Sequence, residues 1–116
     1  VWGSGQQTRD FVHIADVVDC VFSTMDRLAP GAVLNIGSEV ATSMFALAHC
    51  AIEIAKPAEI PIVVADTSKP EGVFHRVADT YALDRLGWKP KVSLDEGIRR
   101  SLEYHKSMLD SGVKAL

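Results

Sequence analysis

Cysteine is scarce: Cys20 and Cys50 are the only two in 116 residues. Two thiols make neither a disulfide framework nor a four-ligand zinc site, and the expectation is a cytoplasmic protein with both reduced. A cationic surplus is missing too. Twelve Lys and Arg against fifteen Asp and Glu give a net charge of −3 with His neutral, whereas nucleic-acid-binding domains carry a strong basic excess. No apolar run reaches the roughly 20 residues that a membrane helix needs. Neither nucleic acid nor membrane is therefore expected as a partner. The first residues, Val1-Trp2-Gly3-Ser4-Gly5, lack both an initiator methionine and the charged-then-apolar leader of a signal peptide. The expectation is one domain cut from a larger protein. No internal repeat or low-complexity segment is present.

What is there is ordinary for a globular chain, 47% hydrophobic and 23% charged. The length suits a single domain over residues 1–116. Residues 1–8 read as a Gly- and Gln-rich loop, and residues 9–13 as a short strand with Phe11 on its buried face. Ile14, Val17, Val18, Val21, Phe22, Met25 and Leu28 recur at steps of three and four. That spacing predicts a helix with one apolar core stripe, Asp16, Asp19, Asp26 and Arg27 falling outside it. Residues 32–37 (Ala-Val-Leu-Asn-Ile-Gly) read as a buried strand, and residues 60–65 (Ile-Pro-Ile-Val-Val-Ala) as an edge strand. Between them lies a helix capped by Thr42 or Ser43 and ended by Pro57. Its apolar face would take in Leu47, Ala48, Ala51, Ile54 and Ala55, with His49 and Cys50 as structural residues. Residues 66–77 lack periodicity and read as a loop. Asp79 or Thr80 then caps a short helix ending at Gly87. Ser93 with Glu96 three residues on predicts a capping box, opening a last helix buried through Leu94, Ile98, Leu102 and Leu109. Gly97 inside that helix implies close packing, and the tail of about 110–116 is expected to fray. The fold class is α/β (α+β), a small mixed domain of short strands and about four helices.

Two familiar chemistries fail on inspection. Gly3-Ser4-Gly5 starts like Gly-x-Gly-x-x-Gly, but the third position is Thr8 and no strand leads in. The four His residues sit in unrelated segments, so no nucleophilic triad is supported, and no spacing suggests a metal site. Two segments remain. Residues 2–11 run from a Gly-rich turn into Arg9, whose guanidinium can make paired bonds to phosphate oxygens. Residues 69–79 place Lys69, Arg76 and Asp79 on a loop ending at a helix start. Cations suit a diphosphate and a carboxylate suits ribose hydroxyls. The plainer alternative is that Arg9 pairs with Asp10 or Asp16 and that Asp79 only caps the helix.

These segments carry a resemblance. Trp2-Gly3-x-Gly5-x-Gln7-x-Arg9-Asp10-Phe11, Asn35-Ile36-Gly37-Ser38, Lys69-Pro70-Glu71-Gly72 with Arg76 and Asp79, and Leu86-Gly87-Trp88-x-Pro90 resemble the C-terminal part of extended short-chain dehydrogenase/reductases. These are the NAD-dependent epimerase/dehydratase enzymes of nucleotide sugars. The wording looks closest to GDP-mannose 3,5-epimerases and GDP-fucose synthases. The resemblance implies a C-terminal lobe lacking the Rossmann dinucleotide-binding half, with a nucleotide sugar, such as a GDP-hexose, as substrate. It implies Arg9 and Arg76 on the phosphates, Asp79 at the ribose or as a cap, and Trp2, Gly3, Gln7 and Lys69 shaping the pocket. NAD(P) is expected in a full-length family enzyme and not on this chain alone. The Gly-x-x-Gly-x-x-Gly turn and the Tyr-x-x-x-Lys pair are absent: Tyr81 is followed four residues on by Arg85, and Tyr104 by Met108. No catalytic residue is therefore assigned. The implied partner is a Rossmann half in cis or in trans. Uncovered apolar surface would favour a homo-oligomer. The alternative from another class is a stand-alone, non-catalytic interaction module.

Overall fold

The computed structural model of the chain describes residues 1–112. Among these are four α-helices, one 3-10 turn (Met25–Arg27) and three strands. The strands are β1 (Thr8–Arg9), β2 (Thr42–Ser43) and β3 (His75–Arg76), and the helices are α1 (Ile14–Thr24), α2 (Met44–Ala55), α3 (Tyr81–Arg85) and α4 (Leu94–Asp110). The sheet order is β2-β1-β3. β1 pairs antiparallel with β2 (Thr8 with Ser43) and parallel with β3 (Arg9 with Arg76). One further parallel bridge joins Trp2 to Asp66.

Local capping chemistry explains the helix starts. The Ser43 hydroxyl accepts from the Ala46 amide at 3.1 Å, and the Ser93 hydroxyl from the Glu96 amide at 3.3 Å. The Glu96 carboxylate does not complete a capping box but pairs with Arg100 at 2.7 Å. α1 is capped by His13, whose Nδ1 accepts from the Ala15 amide at 3.1 Å. α2 closes at Lys56, in the left-handed region at φ 46°, directly before Pro57. Before α3 the Asp79 carboxylate, not the Thr80 hydroxyl, accepts the free Tyr81 amide at 3.0 Å. α2 and α4 pack against each other.

Three expectations are corrected. First, α1 starts where predicted but ends at Thr24, with a 3-10 turn over Met25–Arg27 in place of the helical reach to Leu28, and it turns the opposite face inward. Its buried residues are Asp16, Cys20 and Thr24, while Ile14 and Phe22 are 67% and 70% exposed. The cause is polar. Asp16 accepts from the Lys91 and Val92 amides at 3.1 and 3.0 Å, and Asp19 accepts from Trp88 Nε1 at 2.8 Å and from Lys91 Nζ at 3.0 Å. These bonds roll the acidic side of the helix onto residues 88–92. Second, residues 32–37 and 60–65 form no strand: the Val1 amine donates to Val64 O at 2.8 Å, but no ladder develops along either segment. The paired backbone of the 66–77 loop is β3 instead. Third, the strand expected over 9–13 ends at Arg9, and Phe11 is half-buried beyond it. His49 is exposed against Phe45, and Cys50 is half-buried with its thiol 3.2 Å from Asp95. The helix runs through Asp110, and 113–116 of the expected frayed tail lie outside the described residues.

The buried apolar core is small. Cys20, Leu83 and Trp88 form it, with Leu34 and Ile36 packed alongside. The radius of gyration is 16.9 Å, against about 13 Å for a compact chain of this length. The accessible surface is 8348 Å², where a compact monomer of this mass exposes about 6,200 Å².

Candidate functional site

β1 and β3 run parallel with Arg9 and Arg76 as register partners, so both side chains leave the same face of the sheet. They open onto a cleft of about 630 Å³ whose other walls are Leu34, Asn35 and Ile36 on one side and Val77 to Asp79 on the other. That volume lies in the range of small-ligand sites. The Arg9 guanidinium donates to its neighbour's carbonyl, Thr8 O, at 2.7 Å. Neither arginine has a carboxylate partner among the described residues. Two guanidinium groups from register-paired residues, neither held by a carboxylate among the described residues, border this cleft, and planar donor forks of this kind match phosphate oxygens.

The carboxylates once open as partners for Arg9 are engaged elsewhere. Asp16, on the buried face of α1, takes the Lys91 and Val92 amides. Asp10 accepts from the Ser38 amide at 2.8 Å, the Glu39 amide at 3.1 Å, the Ala78 amide at 3.3 Å and the Ser38 hydroxyl. Partial burial opposes the Asp10 charge. The bonds from Ser38, Ala78 and Glu39 outweigh it and hold its pKa below the ordinary carboxylate value. Glu39 sits at φ 62°, and its own carboxylate accepts the Thr80 amide at 3.2 Å.

Of the residues singled out in the sequence, Arg9, Arg76 and Asp79 converge on this cleft. Trp2, Gly3, Gln7 and Lys69 gather elsewhere, around the 66–71 turn. The Gly3 and Lys69 amides donate to Asp66 O at 2.9 and 3.1 Å, and Gln7 Nε2 donates to Trp2 O at 2.8 Å. The Ser4 hydroxyl bonds the Glu71 carboxylate. This turn is not a phosphate cradle. A side chain at Gly3 would meet Glu71, and one at Gly5 would meet the Phe45 ring, so both glycines serve packing within the chain, and the Ser4 amide and hydroxyl that could meet a pyrophosphate are taken by the Glu71 carboxylate. The residues present do not fit NAD(P) at this turn. Burial, and for Cys50 the bond to Asp95, push the two thiols above their ordinary range, which disfavours the nucleophilic thiolate.

Asn35 and Asp10 are the residues that the chemical reading of the sequence missed. Asn35 lines the cleft and donates to Asp79 O at 3.3 Å. Both stood inside the motifs Arg9-Asp10-Phe11 and Asn35-Ile36-Gly37-Ser38, which was the available signal. No helix among the described residues is long and apolar enough to cross a membrane.

Comparison with known proteins agrees with this architecture. Residues 1–37 match the NAD dependent epimerase/dehydratase family. The chain is 34% identical over 103 residues to the GDP-L-fucose synthase of Sinorhizobium fredii, covering 89% of this chain and 32% of that protein. The UDP-glucose 4-epimerase of Thermotoga maritima, solved with UDP-glucose, superposes with a TM-score of 0.81 at 32% identity, covering 94% of this chain and 35% of that one. MoeE5, solved in complex with UDP-glucuronic acid and NAD, superposes with a TM-score of 0.78 at 28% identity, covering 92% and 36% respectively. The chain thus spans about a third of the length of the curated relatives it matches.

Proposed function

We propose that this chain, which belongs with the NAD dependent epimerase/dehydratase enzymes and carries a part of their extended short-chain dehydrogenase/reductase fold, holds the nucleotide diphosphate of a nucleotide-sugar substrate. Residues 1–116 act as one substrate-binding lobe. The observation that carries this reading is the register pairing of Arg9 with Arg76 over one cleft. The two guanidinium groups bind the diphosphate, and Asp79 and Asn35 border the position of the ribose. Binding energy taken from the non-reacting nucleotide positions the sugar for chemistry carried out elsewhere. Hydride and proton transfer, and NAD(P), belong to a Rossmann half, because the Gly-rich turn and Tyr-x-x-x-Lys are not in this sequence. By itself the lobe is a binder and not a catalyst.

Magnitude bounds the affinity. Two charge-assisted bonds of about 1.5–3 kcal/mol each give about 3–6 kcal/mol before ordering costs, and a millimolar constant corresponds to about −4 kcal/mol. The test is an amide proton–nitrogen NMR titration of the chain with GDP and, separately, UDP. Dispersed peaks near Arg9 and Arg76 should shift with roughly millimolar affinity, and Arg76→Ala should weaken binding by about tenfold. GDP binding unchanged by Arg76→Ala refutes the reading.

One observation favours a second reading, an interaction module that self-associates. Ile14, Val18, Val21, Phe22 and Met25 form an exposed apolar stripe on α1, and the surface exceeds that of a compact monomer by roughly 2,000 Å². In the first reading this stripe docks onto the Rossmann half, in cis or in trans. In the second it docks onto another copy. Sedimentation separates them: a dimer dispersed by Phe22→Ser, with no response to GDP, selects the module.

A further inference from the structure

We infer that Asp10 is the positioning residue of the diphosphate site, the group that holds Arg9 and Arg76 at the separation a diphosphate requires. The inference rests on the diphosphate reading of the cleft.

The cleft has three walls from three distant segments: β1 at Arg9, residues 34–36, and residues 76–79. Sheet pairing joins only the first and third, over two residues. One carboxylate reaches all three. Asp10 directly follows Arg9. Its side chain takes the Ser38 and Glu39 amides, which end the 34–36 wall, and the Ala78 amide, two residues past Arg76. Its backbone amide also donates to Arg76 O at 3.2 Å. Two further features serve this arrangement. Glu39, in the left-handed region at φ 62°, gives its amide to Asp10 while its carboxylate takes the Thr80 amide. Gly37 lies so close to Ala78 and the Asp10 carboxylate that any side chain there would overlap both. The Asp10 charge is thereby absorbed by amides, and the two arginines beside it remain available to an external anion.

A positioning role and a field effect predict opposite signs. If only the field mattered, neutralising Asp10 beside two cations would tighten anion binding. If Asp10 sets geometry, neutralising it weakens binding. The experiment is GDP titration of Asp10→Asn, Arg76→Ala and the double variant by amide NMR. It is run at a temperature where circular dichroism shows every variant folded. Asp10→Asn should weaken GDP binding on the order of tenfold, the size of one misplaced charge-assisted bond. In the Arg76→Ala background it should cost nothing further, because a geometry that no longer serves two arginines has nothing left to lose. If Asp10→Asn does not fold, Ser38→Ala removes one donor to Asp10 and should weaken binding roughly threefold with the chain folded. A folded variant with unchanged or tighter GDP binding, or a loss that persists in the Arg76→Ala background, overturns the role of Asp10. Should Arg76→Ala itself leave GDP binding unchanged, the diphosphate reading fails first and takes this inference with it.

Discussion

Replacing Asp16 with Ala tests the orientation of α1 most directly. The carboxylate is 2% exposed and accepts the Lys91 and Val92 amides at 3.1 and 3.0 Å. Hydrogen bonds to a charged group contribute about 1.5–3 kcal/mol each, and an acidic side chain in a helix's first turn adds about 0.3–1 kcal/mol. The two amides lie in a partly wetted segment, so the lower end of the range applies, and the expected loss is about 3 kcal/mol. Against a total stability of about 5–15 kcal/mol, that lowers the melting temperature by roughly 10–20 °C. Asp16→Asn keeps one acceptor and should lose about half as much. Phe22→Ser, on the face turned outward, should cost less than about 0.5 kcal/mol. Urea unfolding followed through the buried Trp88 measures all three. A helix with its apolar stripe in the core would give the reverse: Asp16→Ala near neutral, and Phe22→Ser at about 3 kcal/mol or more. That pattern would refute the orientation and the carboxylate clamp together.

Two further outcomes are expected. Gly97→Ala should stabilise the chain by about 0.5–1 kcal/mol, since the added methyl would stand 3.5 Å from His13 Cδ2, an ordinary contact; thermal melting checks it, and a loss would mean that α4 and the His13 cap cannot take even that methyl. Asp10 has a lowered folded pKa against an ordinary 3.8, so its stabilisation is complete above that value and fades as pH falls through the folded pKa. The stability gap between wild type and Asp10→Asn should therefore stay constant from about pH 7 to 5 and shrink below about pH 4 in acid titrations read by circular dichroism.

Much of the local structure was legible from side chains. Ser43 and Ser93 announced their helices because capping is a contact over three residues. Arg9, Arg76 and Asp79, singled out by residue type, line one cleft; the phosphate role given to them rests on the proposal above. The inward face of α1 was not. A periodic stripe reports that a helix is amphipathic, not which surface its own chain will cover, and here residues 88–92 claimed the acidic side. Residues 32–37 and 60–65 have strand composition, but a strand is a property of two segments, and composition names only one. Asp10 escaped the chemical reading because its partners lie 28 and 68 residues away, beyond any local pattern.

The shortness of the sheet has a consequence for where the chain is durable. With two-residue strands, the ladder shields few backbone protons from solvent. The amides of Ser38, Ala78, Lys91 and Val92 lie outside every helix and strand, yet each is held by a carboxylate 28, 68, 75 or 76 residues distant. Such bonds do not fray one at a time, because releasing any of them parts two remote stretches of chain. In deuterated water these loop amides should therefore exchange as slowly as the helix interiors, by whole-molecule opening. The isotope would outline the cleft and the α1 anchor as the last parts of the molecule to let go.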